Sequence, residues 1–77
     1  MLHIVTNASV YSRRTKQLMG GLTVREAIKL ANVLQQKHST PDRIVYDVVY
    51  TYDDGYVATI ACDEARINAV LCGIIND

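Results

Sequence analysis

The sequence predicts a small α+β domain of order β-α-β-β-α: a three-stranded, mostly antiparallel sheet with two helices packed on one face. Three observations carry this. A capping box at Thr23 and Glu26 opens a segment with helical apolar spacing. Residues 43–62 alternate in polarity on either side of an Asp53-Asp54-Gly55 turn. Asp63 and Glu64 then introduce a second helical pattern that runs to the C-terminal end of the sequence. At 77 residues, all of it belongs to a single domain, residues 1–77.

The first element is a strand. Leu2–Val5 is apolar and partly β-branched, and Leu2, Ile4, Ala8 and Val10 would line one face of a longer strand. A helix capped by Asn7 and stopped at Gly20-Gly21 is the alternative. Extended structure reaching about Tyr11 is preferred, followed by a basic turn at Arg13-Arg14-Thr15-Lys16, by Gln17-Leu18-Met19 and by a Gly-Gly break.

The first helix follows from Thr23. Its hydroxyl can accept from the Glu26 amide while the Glu26 carboxylate accepts from the Thr23 amide. Leu22 can staple onto Ala27. Val24, Ala27, Ile28, Ala31 and Leu34 form the buried stripe, widened by Leu30 and Val33. Lys37 and His38 suit the negative end of the helix dipole, and Pro41 marks the exit loop.

Chemistry sets the register of the hairpin. With Asp53-Asp54-Gly55 as a three-residue loop, Tyr52 meets Tyr56, Tyr50 meets Ala58 and Val48 meets Ile60. One face then reads Ile44, Tyr46, Val48, Tyr50, Tyr52, Tyr56, Ala58, Ile60 and Cys62, with no charge in it. A two-residue turn would flip the return strand. Gly55 suits the left-handed position such a loop needs.

The last helix is expected from about Asp63 to Ile75, with Asp63 as N-cap and with Ile67, Val70, Leu71 and Ile74 in the core. Its remaining face, Ala65, Asn68, Ala69, Cys72, Gly73 and Asn76, is small and almost uncharged. Ala65, Ala69, Cys72, Gly73 and Asn76 are therefore the candidate self-association residues.

In this arrangement the strand before the first helix and the strand after it run parallel through a right-handed crossover, with the third strand between them. The architecture resembles a ferredoxin-like fold lacking its last strand, without any motif that ties it to a family. The resemblance implies an unpaired edge at strand 1, where a fourth strand would lie. A chain this short buries only roughly 60% of its unfolded surface. Together with the open edge and the small-faced helix, this points to a homodimer.

The charge is split. Residues 1–43 hold Arg13, Arg14, Lys16, Arg25, Lys29, Lys37 and Arg43 against Glu26 and Asp42. Residues 44–77 hold Arg66 against Asp47, Asp53, Asp54, Asp63, Glu64 and Asp77. The formal total is zero. Such asymmetry bears on partners. Arg13, Arg14, Lys16, Arg25 and Lys29 are the candidate partner-binding residues, facing a protein with an acidic surface. The alternative is a nucleic-acid-binding protein that uses the basic turn 13–16 and the outer face of helix 23–37. The absence of net positive charge and the acidic half weigh against it.

No grouping of catalytic residues is evident. His3 and His38 lack a second ligand at metal spacing. The Asp53-Asp54-Gly55 loop lacks the length and oxygens of a calcium loop. Gly20-Gly21 lacks the lysine and hydroxyl of a phosphate loop and reads as a hinge. Cys62 and Cys72 read as small apolar fillers in a reducing compartment, and no stretch reads as an export signal or a membrane span. The expectation is a cytoplasmic, non-enzymatic protein-binding module, an adaptor, regulator or inhibitor, with no cofactor and no bound metal.

Overall fold

The computed structural model describes residues 4–38 and 43–75. Its elements are β1 (Val5–Ser12), β2 (Leu18–Leu22), α1 (Val24–His38), β3 (Tyr46–Tyr52), β4 (Val57–Ala61) and α2 (Cys62–Leu71). A hairpin followed by a helix thus occurs twice. The four strands form one antiparallel sheet of order β2-β1-β3-β4. The protein is a small α+β domain, but its sheet has four strands rather than three.

The additional strand is β2, in the segment read from sequence as a Gly-Gly break. The chain reverses after β1 through a tight turn in which the Ser12 amide donates to Gln17 O and the Lys16 amide to Ser12 O, both at 2.9 Å. Lys16 takes a left-handed φ of 60°. Gly21, at φ 75°, lies where the β1–β2 register shifts between Ala8 and Val10, and its amide donates to Asn7 Oδ1 at 3.2 Å. The glycines therefore make a bulged strand, and no hinge.

This single strand reverses the topology. Because β2 carries the chain back to the start of β1, α1 begins at that lower end of the sheet and returns to the upper end. There β3 starts, with Tyr46 opposite Ser12. The predicted parallel pairing of the strands flanking α1 is therefore antiparallel, from Val5 opposite Tyr52 to Ser12 opposite Tyr46. The return strand of the second hairpin, β4, lies at the sheet edge and not between the other two. Nor is β1 an open edge, since β2 and β3 flank it. With two hairpin–helix units in succession, the likeness to a shortened ferredoxin-like fold does not hold.

The hairpin β3–β4 has the predicted register. Val48 lies opposite Ile60 and Tyr50 opposite Ala58, and the Tyr52 amide donates to Tyr56 O at 2.8 Å. Gly55 sits at φ 89°, and Asp54 Oδ1 accepts from the Tyr56 amide at 3.0 Å. The capping box is also present. The Thr23 amide donates to Glu26 Oε1 at 2.9 Å and the Glu26 amide to Thr23 Oγ1 at 3.2 Å.

Cross-strand pairing puts Ala8, Val10, Tyr46, Val48 and Tyr50 on one sheet face. They form a single core with Ala27, Ile28 and Ala31 of α1 and with Cys62, Ala65 and Ala69 of α2. The sheet brings the bulk to this core, and the helices meet it with alanines. This volume match inverts the expected orientation of α2. Its small face is buried, while Ile67 and Leu71 are 65% and 81% exposed and Val70 is exposed as well. Asp63 does not cap the helix; Ala61 occupies the N-cap without a side-chain bond.

The helix also ends earlier than expected. Gly73 adopts φ 72°, its amide donates to Val70 O, and the Ile74 amide donates to Ala69 O at 2.8 Å. These are the paired bonds of a Schellman stop. The stop turns Ile74 and Ile75 back against the core.

Candidate interaction surfaces

Four features outside the core bear on function. The first is a clasp at the upper end of the sheet. Arg13 leaves the end of β1 and donates from Nε and Nη2 to the two carboxylate oxygens of Asp47 at 2.8 and 2.6 Å, and from Nη1 to Ile44 O at 3.1 Å. The Asp47 side chain is 6% exposed and that of Arg13 47%. The carboxylate hydrogen bond raises the guanidinium pKa further above its ordinary value. Arg13, expected to face a partner, thus joins β1 to β3 within the chain. A lone carboxylate within the apolar run Val45–Val49 was the sequence signal for such a pairing.

The second feature is the basic tip. Arg14 and Lys16 are exposed in the turn between β1 and β2. The acidic pair Asp53 and Asp54 occupies the turn after β3, at the opposite end of the sheet. Asp63 and Glu64 start α2 at the upper end, the same end as the basic tip. Both acidic pairs therefore flank β4 at one side of the sheet, and the basic tip joins β1 to β2 at the other side.

The third feature is a shallow groove of about 160 Å³ lined by Arg25, Ile28, Lys29, Arg66 and Ile75. Here α1 meets the returning C-terminal segment, and Arg66 of α2 joins the two predicted cations of α1. Lys29 and Arg25 lie about two and a half and three and a half turns of α1 from its upper end, so the five candidate partner-binding residues separate into the clasp (Arg13), the tip (Arg14 and Lys16) and the groove (Arg25 and Lys29).

The fourth feature adjoins the third through Arg66. The outer face of α2 forms a ridge whose groove, about 340 Å³, is lined by Arg66, Ile67, Val70 and Leu71. Expected to lie in the core, these apolar residues are the largest exposed apolar group on either helix. Of the candidate self-association residues, Ala65 and Ala69 are fully buried within the chain, and Cys72 and Gly73 are exposed in the helix stop. Asn76 lies outside the described residues, as does His3.

Among the buried polar residues, Gln35 has no counterpart in the sequence reading. Gln35 of α1 donates from Nε2 to Arg43 O at 2.7 Å and accepts at Oε1 from the Val45 amide at 3.0 Å. It stitches the helix to the chain entering β3, satisfying backbone groups that burial would otherwise leave unpaired. The Cys62 thiol lies 3.8 Å from the same Oε1.

Burial, followed by Asp63 and Asp47, pushes the Cys62 thiol up, which disfavours the nucleophilic thiolate. Cys62 and Cys72 are unpaired with one another. His38 packs at 6.3 Å against the Tyr46 ring. No group of three His, Cys, Asp or Glu that could hold a metal ion occurs among the described residues, nor does a helix long and apolar enough to cross a membrane. Comparison with protein-family models, curated proteins and solved structures finds no match for this chain.

Proposed function

We propose that this protein is a small non-enzymatic protein-binding module that self-associates and acts by occupying a partner surface. The observation that carries the reading is the ridge of Ile67, Val70 and Leu71, which leaves apolar surface in water beside a groove lined by Arg25, Lys29 and Arg66. An apolar stripe rimmed by cations suits a protein surface that offers apolar side chains with carboxylates around them. Ala65 and Ala69 of the small last-helix face offered by the sequence for this purpose are taken up by the core, so the ridge replaces that face.

The test is a pull-down from the native host with the wild-type chain and with an Ile67→Asp/Leu71→Asp variant, both verified as folded by circular dichroism. A protein retained by the first and lost by the second, a further copy of the chain included, supports the reading. Equal recovery by both removes it. Nucleic-acid binding is the second reading, favoured by the exposure of Arg14 and Lys16 at the tip of a projecting hairpin. Affinity for generic DNA or RNA that falls steeply with salt would support it, and no binding at low salt would exclude it.

A further inference from the structure

Both helices pack on the same face of the sheet. The opposite face carries the alternate residues of all four strands. The solvated face of an antiparallel sheet ordinarily shows polar and charged groups of both signs. On this one, among the described residues, the single ionic group is Asp47, and Arg13 already neutralises it within the chain. Ser9 at the centre is buried among its neighbours, while Leu18 and Val57 at the margins are each more than half exposed. The face is thus an uncharged floor with two apolar knobs.

The knobs stand at diagonal corners. Leu18 lies opposite Tyr11 at the upper end of β2, and Val57 opposite Thr51 at the lower end of β4. The other two corners are hollow. Ala61 lies opposite Asp47 at the upper end of β4. Gly20 fills the lower part of β2, where a Cβ would come 3.3 Å from Ser9 Oγ and 4.0 Å from Asn7 Nδ2.

We propose that two copies of this chain meet through this face, packed sheet on sheet about a two-fold axis that crosses the strands along the row Ser9, Val49 and Thr59. This deepens the self-association part of the reading above and rests on it, but uses a surface other than the α2 ridge.

Shape and charge select a second copy and this axis. The rotation exchanges the upper and lower ends of each strand. Each Leu18 then comes over the partner's Gly20, and each Val57 over the partner's Ala61, so that a knob meets a hollow at all four corners. A two-fold axis along the strands fills the same corners but stacks the two Arg13–Asp47 clasps together. The axis across the strands sets each clasp over the partner's Asn7 and the partner's Thr51, which are neutral and able to hydrogen-bond. An acidic or basic partner, by contrast, finds no counter-charge on this floor.

The footprint sets the strength. Four strands about 4.8 Å apart, with five to eight residues each at about 3.3 Å, give about 400 Å² per copy and about 800 Å² for the pair. That is below the roughly 1,200 Å² of stable complexes, so the dimer is weak, with a Kd of about 0.1–1 mM.

The decisive experiment places charge on the axis, where each residue meets its own image. Thr59 is exposed on an edge strand, which tolerates a long polar side chain. Thr59→Lys and Thr59→Glu should each raise the dimer Kd about tenfold or more in sedimentation equilibrium, because like charges face each other. An equimolar mixture of the two should recover the wild-type value, because Lys then faces Glu. Ile67→Asp/Leu71→Asp should leave the Kd unchanged. Circular dichroism verifies that each variant is folded.

The proposal is overturned by a wild-type chain that stays monomeric up to about 2 mM, where pairing of this strength would register. A dimer that neither Thr59 variant weakens, or that the mixture does not restore, also overturns it. A dimer lost only in Ile67→Asp/Leu71→Asp, or a monomer that still captures a different protein through those residues, refutes the sheet-face contact and spares the protein-binding reading.

Discussion

Removing Arg13 should harm the fold more than removing its partner Asp47. The two groups share one bidentate contact, at 2.8 and 2.6 Å, but differ in access to water. The Asp47 side chain is 6% exposed and that of Arg13 is 47% exposed. Arg13→Ala strands a carboxylate that water reaches poorly. A fully buried, uncompensated charge of this kind costs about 3–5 kcal/mol, and the partial opening of this site brings the expected loss to about 2–4 kcal/mol. Asp47→Ala leaves a guanidinium that can swing into solvent, so the loss is that of its charged hydrogen bonds, about 1–2 kcal/mol net. For a domain of this size, 1 kcal/mol moves the midpoint by about 4–8 °C. The gap between the two variants should therefore be several degrees by differential scanning calorimetry. The double variant should resemble Asp47→Ala, because with the carboxylate gone the arginine has little left to do. Equal losses, or a larger loss for Asp47→Ala, would refute the claim that Asp47 is the buried member that needs a partner. Charge reversal at the basic tip should accordingly be confined to Arg14 and Lys16, which leave the clasp intact.

Three further outcomes follow. Gln35→Leu leaves the Val45 amide and the Arg43 carbonyl without their side-chain partner and should cost about 2–4 kcal/mol in urea unfolding; a loss under about 0.5 kcal/mol would mean that water replaces the side chain. Tyr50→Phe should be neutral or stabilising by up to about 1 kcal/mol, because the fully buried Tyr50 hydroxyl finds no hydrogen-bond partner among the described residues. Burial pushes the Tyr50 phenol up from 10.0 to about 12, so the folded chain holds a proton that the unfolded chain releases; stability is complete below pH 10 and declines between pH 10 and 12, and the Phe variant should decline less over that interval. Thr23→Ala should cost about 1 kcal/mol, and since the Thr23 bonds hold the Glu26 carboxyl below its ordinary value, the wild-type advantage should shrink as acid protonates Glu26; an advantage that is constant down to low pH would contradict the reciprocal cap.

The parts of the fold legible in the sequence are those where local chemistry and burial agree. The β3–β4 register followed from a charge-free face and a glycine at the turn, and the start of α1 from Thr23 and Glu26. The strand β2 was hidden because Leu18-Met19-Gly20-Gly21 has neither β-branched residues nor alternation. Its place is set by a bulge and by its neighbour β1, and once it was missed the direction of every later strand was misjudged. The face of α2 was inverted because hydrophobicity alone favours burying Ile67 and Leu71. The tyrosines and valines of β3 leave room only for alanines, a constraint of volume that no single segment displays. The candidate surfaces were legible in the same uneven way. Arg14, Lys16, Arg25 and Lys29 are visible as cations. Their separation into a tip and a groove, the internal role of Arg13 and the apolar ridge all depend on which elements the chain brings side by side.

The seam between β1 and β3 has a kinetic consequence. Within each hairpin, partners are close in sequence, Tyr11 with Leu18 and Thr51 with Val57, and such units close in about 1–10 µs. The seam instead joins Ser12 to Tyr46 and Val5 to Tyr52, 34 and 47 positions apart, and its closure must immobilise the whole of α1 before any ladder bond compensates. Folding should therefore wait on the seam, with two preformed hairpins searching for a common register. The Arg13–Asp47 contact lies where the seam spans the shortest stretch of chain, which makes it the natural first point of closure.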